Sequence, residues 1–459
     1  MHSDHAVFPQ ELFDLIVDEV HRFPDKAERT QQLVTLSLVS RTFRDRAHDY
    51  LFASVMARNG SVGRRTITQL CKLFAADPLT ATRGLASRIT SFSCAFHPDD
   101  FTALAIILRS LFNDGTIEHT RTSPCTLSLS MFPRHDFNAQ CPAREDMALA
   151  LFEVCHRRRL KSLFLDNFMF FPQNYLQNAS INHLSLNNTR IAVANPSDAF
   201  FLTDSELPSQ SFLPNWPDEG HSISSIRRLE IKSPVLSSIS DDRALSRYGG
   251  ILGTYGTSLK EQEKFQPSRP TAAFPRLKTL HFSMMPFSTA MKEALEEILL
   301  GASESLEELT MAIFFRSTVS IGSLSLHRLT ALRKFTLRDM EGEVGFFRFV
   351  ASLLDSEPSS TLQDLELVFF FDTRGASLSD ESFTETLGTL HCHAFDDMFQ
   401  TSRFESVRSV TLRVRTRLSS SDYQGRNEYA SVIRSQFPSI IACDNLVFNV
   451  IITDWTSRQ

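Results

Sequence analysis

Tryptophan and tyrosine are scarce in this chain, with 2 and 6 residues against 39 phenylalanines in 459. Aromatic content so weighted toward phenylalanine serves apolar core filling and argues against a carbohydrate- or base-stacking surface. A basic excess is also missing. The 47 Lys and Arg face 53 Asp and Glu, for a net charge of −6, which excludes nucleic-acid binding by bulk charge. The seven cysteines, at 71, 94, 125, 141, 155, 392 and 443, contain no CxxC pair and are odd in number, so they fit a reducing compartment better than a disulfide framework. No apolar run approaches the ~18 residues of a membrane helix; LELVFFF and NLVFNVII are strand-length. The N-terminus, MHSDHAVFPQE, has no basic n-region and no apolar h-region. The expectation is a protein of the cytoplasm or the nucleus, not secreted. No G-x-S-x-G or H-E-x-x-H signature is present, and the reading carries no catalytic residue, no cofactor and no metal.

What is there is the composition of a folded protein, 42% hydrophobic and 22% charged. Length alone allows two to four domains or one long repeat array. Near the start, Phe8, Leu12, Leu15, Ile16 and Val20 fall at i, i+4, i+7, i+8 and i+12, one face of a helix. Pro9 suits its first turn, and Glu11 and Asp14 suit its N-terminal half. Pro24 breaks the pattern. A second helix is expected from about Thr30 to Val39, with Leu33, Val34, Leu36, Leu38 and Val39. Ser40 can cap a third, on which Phe43, Ala47, Tyr50 and Leu51 repeat the helical spacing. Three helices this short bury little surface alone, so the bundle needs a partner, either the body of its own chain or another protein.

The order Phe8-Pro9-x-Glu11-Leu12-x-x-x-Ile16, then Leu36-Ser-Leu-Val39-Ser-Arg-x-Phe43-Arg44, then Leu51-Phe52, resembles an F-box, in the F-box-like form common in fungal proteins. Phe8 stands where the family usually has Leu, and Phe43 and Phe52 where many members have Trp. The resemblance covers residues 8 to about 52. It implies docking on the Skp-family adaptor of a cullin–RING ubiquitin ligase through Phe8, Pro9, Leu12, Leu15, Ile16, Leu36 and Val39. The plainer alternative is that these helices cap the domain that follows.

Past residue 60 a small pattern recurs: apolar, two others, apolar, one other, apolar. It appears as Ile89/Phe92/Cys94, Leu160/Leu163/Leu165, Ile181/Leu184/Leu186, Ile226/Leu229/Ile231, Leu277/Leu280/Phe282, Leu306/Leu309/Met311, Leu332/Phe335/Leu337, Leu362/Leu365/Leu367 and Val407/Val410/Leu412, with Leu127 and Leu129 keeping its last two positions. This is similar to the L-x-x-L-x-L core of leucine-rich repeats, whose units span roughly 20–29 residues. Some steps here are longer, which implies inserted helices or loops. Each unit would contribute a short strand to a parallel sheet, with the return segment covering it. TAMKEALEEILLGA and EVGFFRFVASLLD read as such helical returns, the first through Met291, Leu295, Ile298 and Leu299, the second through Phe346, Phe349, Val350, Leu353 and Leu354. An ordinary α/β domain is the alternative, but a doubly wound sheet usually has fewer strands than the ten candidates. Leucine-rich repeats often follow an F-box, and the pairing resembles the substrate receptors of that ligase class.

Residues 192–222 and 233–272, rich in Pro, Ser and charge, read as loops or insertions. GGILGTYG, at 249–256, lacks the G-K-[ST] ending of a phosphate loop and is read as a loop. LHCHAFDDM offers His391, Cys392, His393, Asp396 and Asp397; both imidazoles would share a face on a strand and splay apart on a helix. Arg157, Arg158 and Arg159 read as a solvated helix end. In VTLRVRTRL, Val410, Leu412 and Val414 alternate with Arg413, Arg415 and Arg417. With the apolar set inward, the arginines line the opposite face, beside Ser185, Glu230, His281, Thr310, Thr336, Glu366 and Thr411 of the other repeats. Such a face would favour an acidic or phosphorylated target; a solvated edge strand that discourages aggregation is the alternative.

The combined expectation is an α+β chain. An F-box-like helical module over 1–58 precedes an irregular α/β leucine-rich-repeat solenoid with a parallel sheet over 59–459. Its function would be substrate recognition for a Skp–cullin–F-box ubiquitin ligase, with an unknown protein target and no nucleic acid or membrane partner. The alternative is an interaction scaffold without ligase association.

Overall fold

The computed structural model describes residues 9–58, 63–75, 88–112, 125–132, 143–168, 171–172, 175–176, 178–187, 189, 191–192, 225–232, 274–283, 295–296, 298–313, 326–339, 346–354, 361–371, 390–401, 404–416 and 426–454. The chain divides into two compact units, the first comprising 1–181 and 194–207, the second 182–193 and 208–459. The expected insertions, apart from Ala192, and GGILGTYG lie outside the described residues, as do Phe8 and Arg417.

The first unit opens with three helices: α1 (Gln10–His21), α2 (Lys26–Val39) and α3 (Arg41–Leu51). The second helix starts earlier than its apolar pattern indicated. Asp25 caps it by accepting from the Glu28 N–H at 2.8 Å, and a polar first turn follows, which hydrophobic spacing does not register. Ser40 ends α2 in extended conformation and caps α3 through the Phe43 N–H at 3.3 Å. Then come β1 (Ser54–Arg58), α4 (Gly63–Ala75), β2 (Ser91–Phe96), α5 (Phe101–Leu111), β3 (Cys125–Met131), α6 (Ala143–Cys155) and β4 (Leu160–Asp166). β1 to β4 pair in parallel and in chain order.

In the second unit eight strands pair in parallel, also in chain order: β5 (His183–Asn187), β6 (Arg228–Lys232), β7 (Thr279–Ser283), β8 (Glu308–Ile313), β9 (Lys334–Asp339), β10 (Asp364–Phe371), β11 (Ser409–Thr416) and β12 (Val447–Asp454). A parallel sheet in strict sequence order, with helices in the connections, is a repeat-like, solenoid-like architecture. The register is the proof. Leu184, Leu229, Leu280, Leu309, Phe335, Leu365, Val410 and Phe448 stand side by side across all eight strands. In the first unit Phe92, Leu127 and Leu163 form the same kind of row. These residues are buried, as are the apolar residues three positions earlier, from Ile181 to Val407.

The polar residues inside each motif also repeat. The N–H groups of Arg227, Lys278, Glu307, Arg333, Gln363 and Arg408 each reach the carbonyl of the equivalent residue one repeat earlier, at 2.8–2.9 Å. Val447 continues the ladder onto Arg408 at 2.8 Å. Backbone donors entering the sheet are thereby satisfied at each step.

Phenylalanine does the expected core filling. On α7 (Phe346–Leu354), Phe347 packs against Phe369, Phe395 and Phe437, with ring centroids 5.2–5.7 Å apart. Its face includes Phe347, which the helical spacing left out, while Phe349 is half-buried. Leu295, Ile298 and Leu299 of the expected earlier return are buried, whereas Met291 lies outside the described residues. Arg159 is not a solvated helix end. It donates to the carbonyls of Leu111 at 3.3 Å and Ile89 at 3.2 Å and so ties α5 to the start of β2. Among the described residues no helix is long and apolar enough to cross a membrane.

Candidate functional site

The N-terminal helices and the outer face of the second unit are the two candidate surfaces. In the helices, the cohesive core is small: Val17, Leu33 and Ala47, joined by Val20, Leu36, Phe43, Tyr50 and Leu51. Phe13 meets Phe43 edge-on at 4.9 Å. The inward face of α1 is therefore Phe13, Val17 and Val20, at i, i+4 and i+7. That departs from the face drawn from the sequence, of which, among the described residues, only Val20 turns inward. Leu12 (41% exposed), Leu15 (56%) and Ile16 (45%) point outward. On α2, Val34, Leu38 and Val39 are exposed, Leu38 by 74%. Pro9 is exposed as well, and Leu36 is half-buried against the core. Of the seven residues assigned to adaptor docking, then, five present themselves to solvent, Leu36 supports the packing, and Phe8 is not described.

A polar clamp compensates for the thin core. Arg46 of α3 donates two hydrogen bonds to Asp18 of α1, at 2.8 and 3.0 Å, and the Tyr50 hydroxyl donates to the same carboxylate at 2.8 Å. His21 stacks on Tyr50, with ring centroids 3.9 Å apart. The Arg46 guanidinium holds the Asp18 carboxyl below its ordinary range. Bidentate geometry makes this pair more directional than a point-charge contact. Arg88, just before β2, reaches Asp49 at 2.7 Å and Asp45 at 2.8 Å, which ties α3 to the strand region of its own unit.

On the outer face of the second unit, Glu230 is 6% exposed and surrounded by donors. His183 lies at 3.1 Å, Arg228 at 2.7 Å and Lys232 at 2.8 Å. The hydrogen bond from His183, then those from Lys232 and Arg228, push its pKa far below the usual carboxylate value against the opposing effect of burial. Parallel register brings His183 and Arg228 level, so the cluster is a product of strand pairing.

The arginines of β11 stand where alternation put them. Val410, Leu412 and Val414 are buried, and Arg413 and Arg415 occupy the opposite face, half-buried. The strand is not an edge, because β12 pairs along its whole length. Asn445 occupies the place of the first apolar residue of that last repeat, which hid it from the pattern. Strand pairing adds Arg338, level with Arg413 across β10, which sequence alternation along one strand could not show.

The His–Cys–His stretch does not sit on a strand. His391 has positive φ, at 54°, and precedes α8 (Cys392–Asp396). Asp396 accepts the N–H groups of Ser439 and Ile440, each at 2.9 Å, and burial pushes the Cys392 thiol up to about 12. Among the described residues no group of three or more His, Cys, Asp or Glu side chains is arranged to hold a metal ion. Comparison with protein-family models and with curated proteins found no match to this chain.

Proposed function

We propose that this chain is the substrate-recognition subunit of a Skp–cullin–F-box type ubiquitin ligase, with an F-box-like helical module and a leucine-rich-repeat body. The observation that carries this reading is the apolar strip left outside the N-terminal helices: Leu12, Leu15, Ile16, Leu38 and Val39, each at least 41% exposed. So many exposed large apolar side chains on a bundle with so small a core call for a partner. The resemblance of residues 8–52 to an F-box supplies the partner's identity, the Skp-family adaptor. The body would then hold a protein target near the ubiquitin-loaded enzyme. Its effect is local concentration, and the chain itself makes and breaks no bond.

The test is capture of purified Skp-family adaptor by the whole chain and by a Leu12→Asp, Ile16→Asp double variant. Both residues lie outside the helical core, so the variant should fold and lose adaptor. A native chain that fails to bind would overturn the ligase reading. It would leave a second one, favoured by the Arg88 bridges to α3: helices that merely cap a protein-interaction scaffold.

A further inference from the structure

β12 closes the strand order of the second unit, with one edge paired to β11 along its whole length. The Val447 N–H reaches the Arg408 carbonyl at 2.8 Å. In a parallel ladder the residues that bond one neighbour alternate with those that face the other way. Val447, Asn449, Ile451 and Thr453 therefore bond β11. Phe448, Val450 and Ile452 turn their N–H and C=O groups outward, and among the described residues nothing pairs with them.

The side chains show the same opening. Leu412 and Val414 of β11 are buried, whereas Val450 and Ile452, level with them on β12, are only half-buried. On the opposite face Val447 is 59% exposed and Ile451 38%. Edge strands are commonly protected by a charge, a proline or a bulge. Residues 447–453, VFNVIIT, hold no charge and no proline, and their register with β11 is unbroken.

We propose that β12 pairs with β12 of a second copy of this chain, antiparallel, about a two-fold axis through Val450. The axis must pass an outward-facing residue for donors to meet acceptors, and Val450 is the one that keeps nearly the whole strand in the pairing. Val450 then stands opposite Val450 of the second copy and Phe448 opposite Ile452, each such pair exchanging two hydrogen bonds. Their side chains continue the apolar row of the core across the axis. On the other face Asn449 stands opposite Ile451 and Val447 opposite Thr453. Two-fold symmetry sets a strand against itself, so an edge charged with one sign would repel its copy; this one is neutral. An unrelated flexible peptide would have to be ordered on binding, while a second β12 arrives already extended and with matching twist. The surface is separate from the apolar side chains outside α1 and α2, and the proposal does not rest on adaptor docking.

The test is sedimentation equilibrium of the full chain over a range of concentrations. The native chain should form a reversible dimer of twice the 52.0 kDa of one chain. Asn449→Lys with Ile451→Lys sets lysines directly opposite lysines in this register and should weaken dimerisation about tenfold or more. Both side chains are exposed, so the variant should unfold at the same urea concentration as the native chain. Leu149→Lys with Leu300→Lys adds the same charge at two other exposed apolar positions and should leave the dimer intact. Crosslinking reads the register. An Asn449→Cys chain mixed with an Ile451→Cys chain should oxidise to a covalent dimer, and either chain alone should do so far less, because position 449 stands opposite 451. A monomer at every concentration, a dimer untouched by the Asn449→Lys, Ile451→Lys pair, or equal loss in the control variant would overturn the proposal. So would crosslinking as fast in either chain alone, or a ladder of higher oligomers, which a closed two-fold pair excludes.

Discussion

The three N-terminal helices and the strand ladder treat apolar residues in opposite ways. In the ladder, each row of leucines and phenylalanines is buried from one strand to the next, and the polar residues between them carry the backbone hydrogen bonds. In the helices, Leu12, Leu15, Ile16, Val34, Leu38 and Val39 are exposed, while only Val17 and Leu33 among the described large apolar side chains are fully buried, with Ala47, at the centre of the core. The ladder's stability comes from burial repeated at every step. The helices depend on the Asp18–Arg46–Tyr50 clamp and on whatever covers their outer strip. A surface residue that contributes nothing to its own fold is free to serve another molecule.

The contrast can be broken most severely in the ladder. Leu309→Ala or Leu365→Ala removes a side chain at the centre of a buried row and should cost about 2–5 kcal/mol, measured by urea unfolding. If either substitution were nearly neutral, the row would not be the source of stability argued here. Glu230→Gln should cost less, about 1–3 kcal/mol, since a neutral amide replaces the anionic acceptor shared by Arg228 and Lys232 and turns one of its oxygens into a donor. The folded pKa of Glu230 is depressed below its unfolded value near 4.5. Its stabilisation is therefore complete above that pH and is lost as pH falls below it. The Gln variant should show a shallower loss of stability on acidification, and parallel acid curves for the two proteins would refute the cluster's role.

In the helices, Arg46→Met should cost about 1–2 kcal/mol by uncoupling α1 from α3. Hydrogen exchange should detect it as faster exchange of α1 amides with little change in the strands. The smallest effect on stability, within about 0.5 kcal/mol, is expected for Leu38→Ser with Val39→Ser, because both side chains are already in water. The same pair should weaken adaptor capture at least tenfold. A large stability loss would mean that the outer strip belongs to the fold.

Much of the strand architecture was legible because a parallel repeat writes its register into the sequence. Every middle apolar position drawn from the pattern, from Phe92 to Val410, stands in one of the two rows found in the structure. The strands that escaped are those with weakened marks. In β1, Phe52, Val55 and Ala57 fit the pattern, but Phe52 also closes the helical module and Ala57 is a faint apolar signal. The helical face of α1 was misdrawn for a different reason. Apolar residues occupy both sides of that helix, and periodicity cannot tell the side that packs from the side left for a partner.

The sequence by itself determined the alternation of buried and outward residues along each strand, the order of the repeats, and the capping residue Ser40. These are local matters, set by a side-chain period of two in strands and by backbone donors at helix starts. Only the tertiary structure decided which face of α1 is inside, that Arg46 grips Asp18, that His183 joins Arg228 and Lys232 around Glu230, and that Arg338 joins Arg413 and Arg415. Each of these brings together residues far apart in the chain. Pairing across strands and docking between helices creates such neighbours, and no pattern within a single segment contains them.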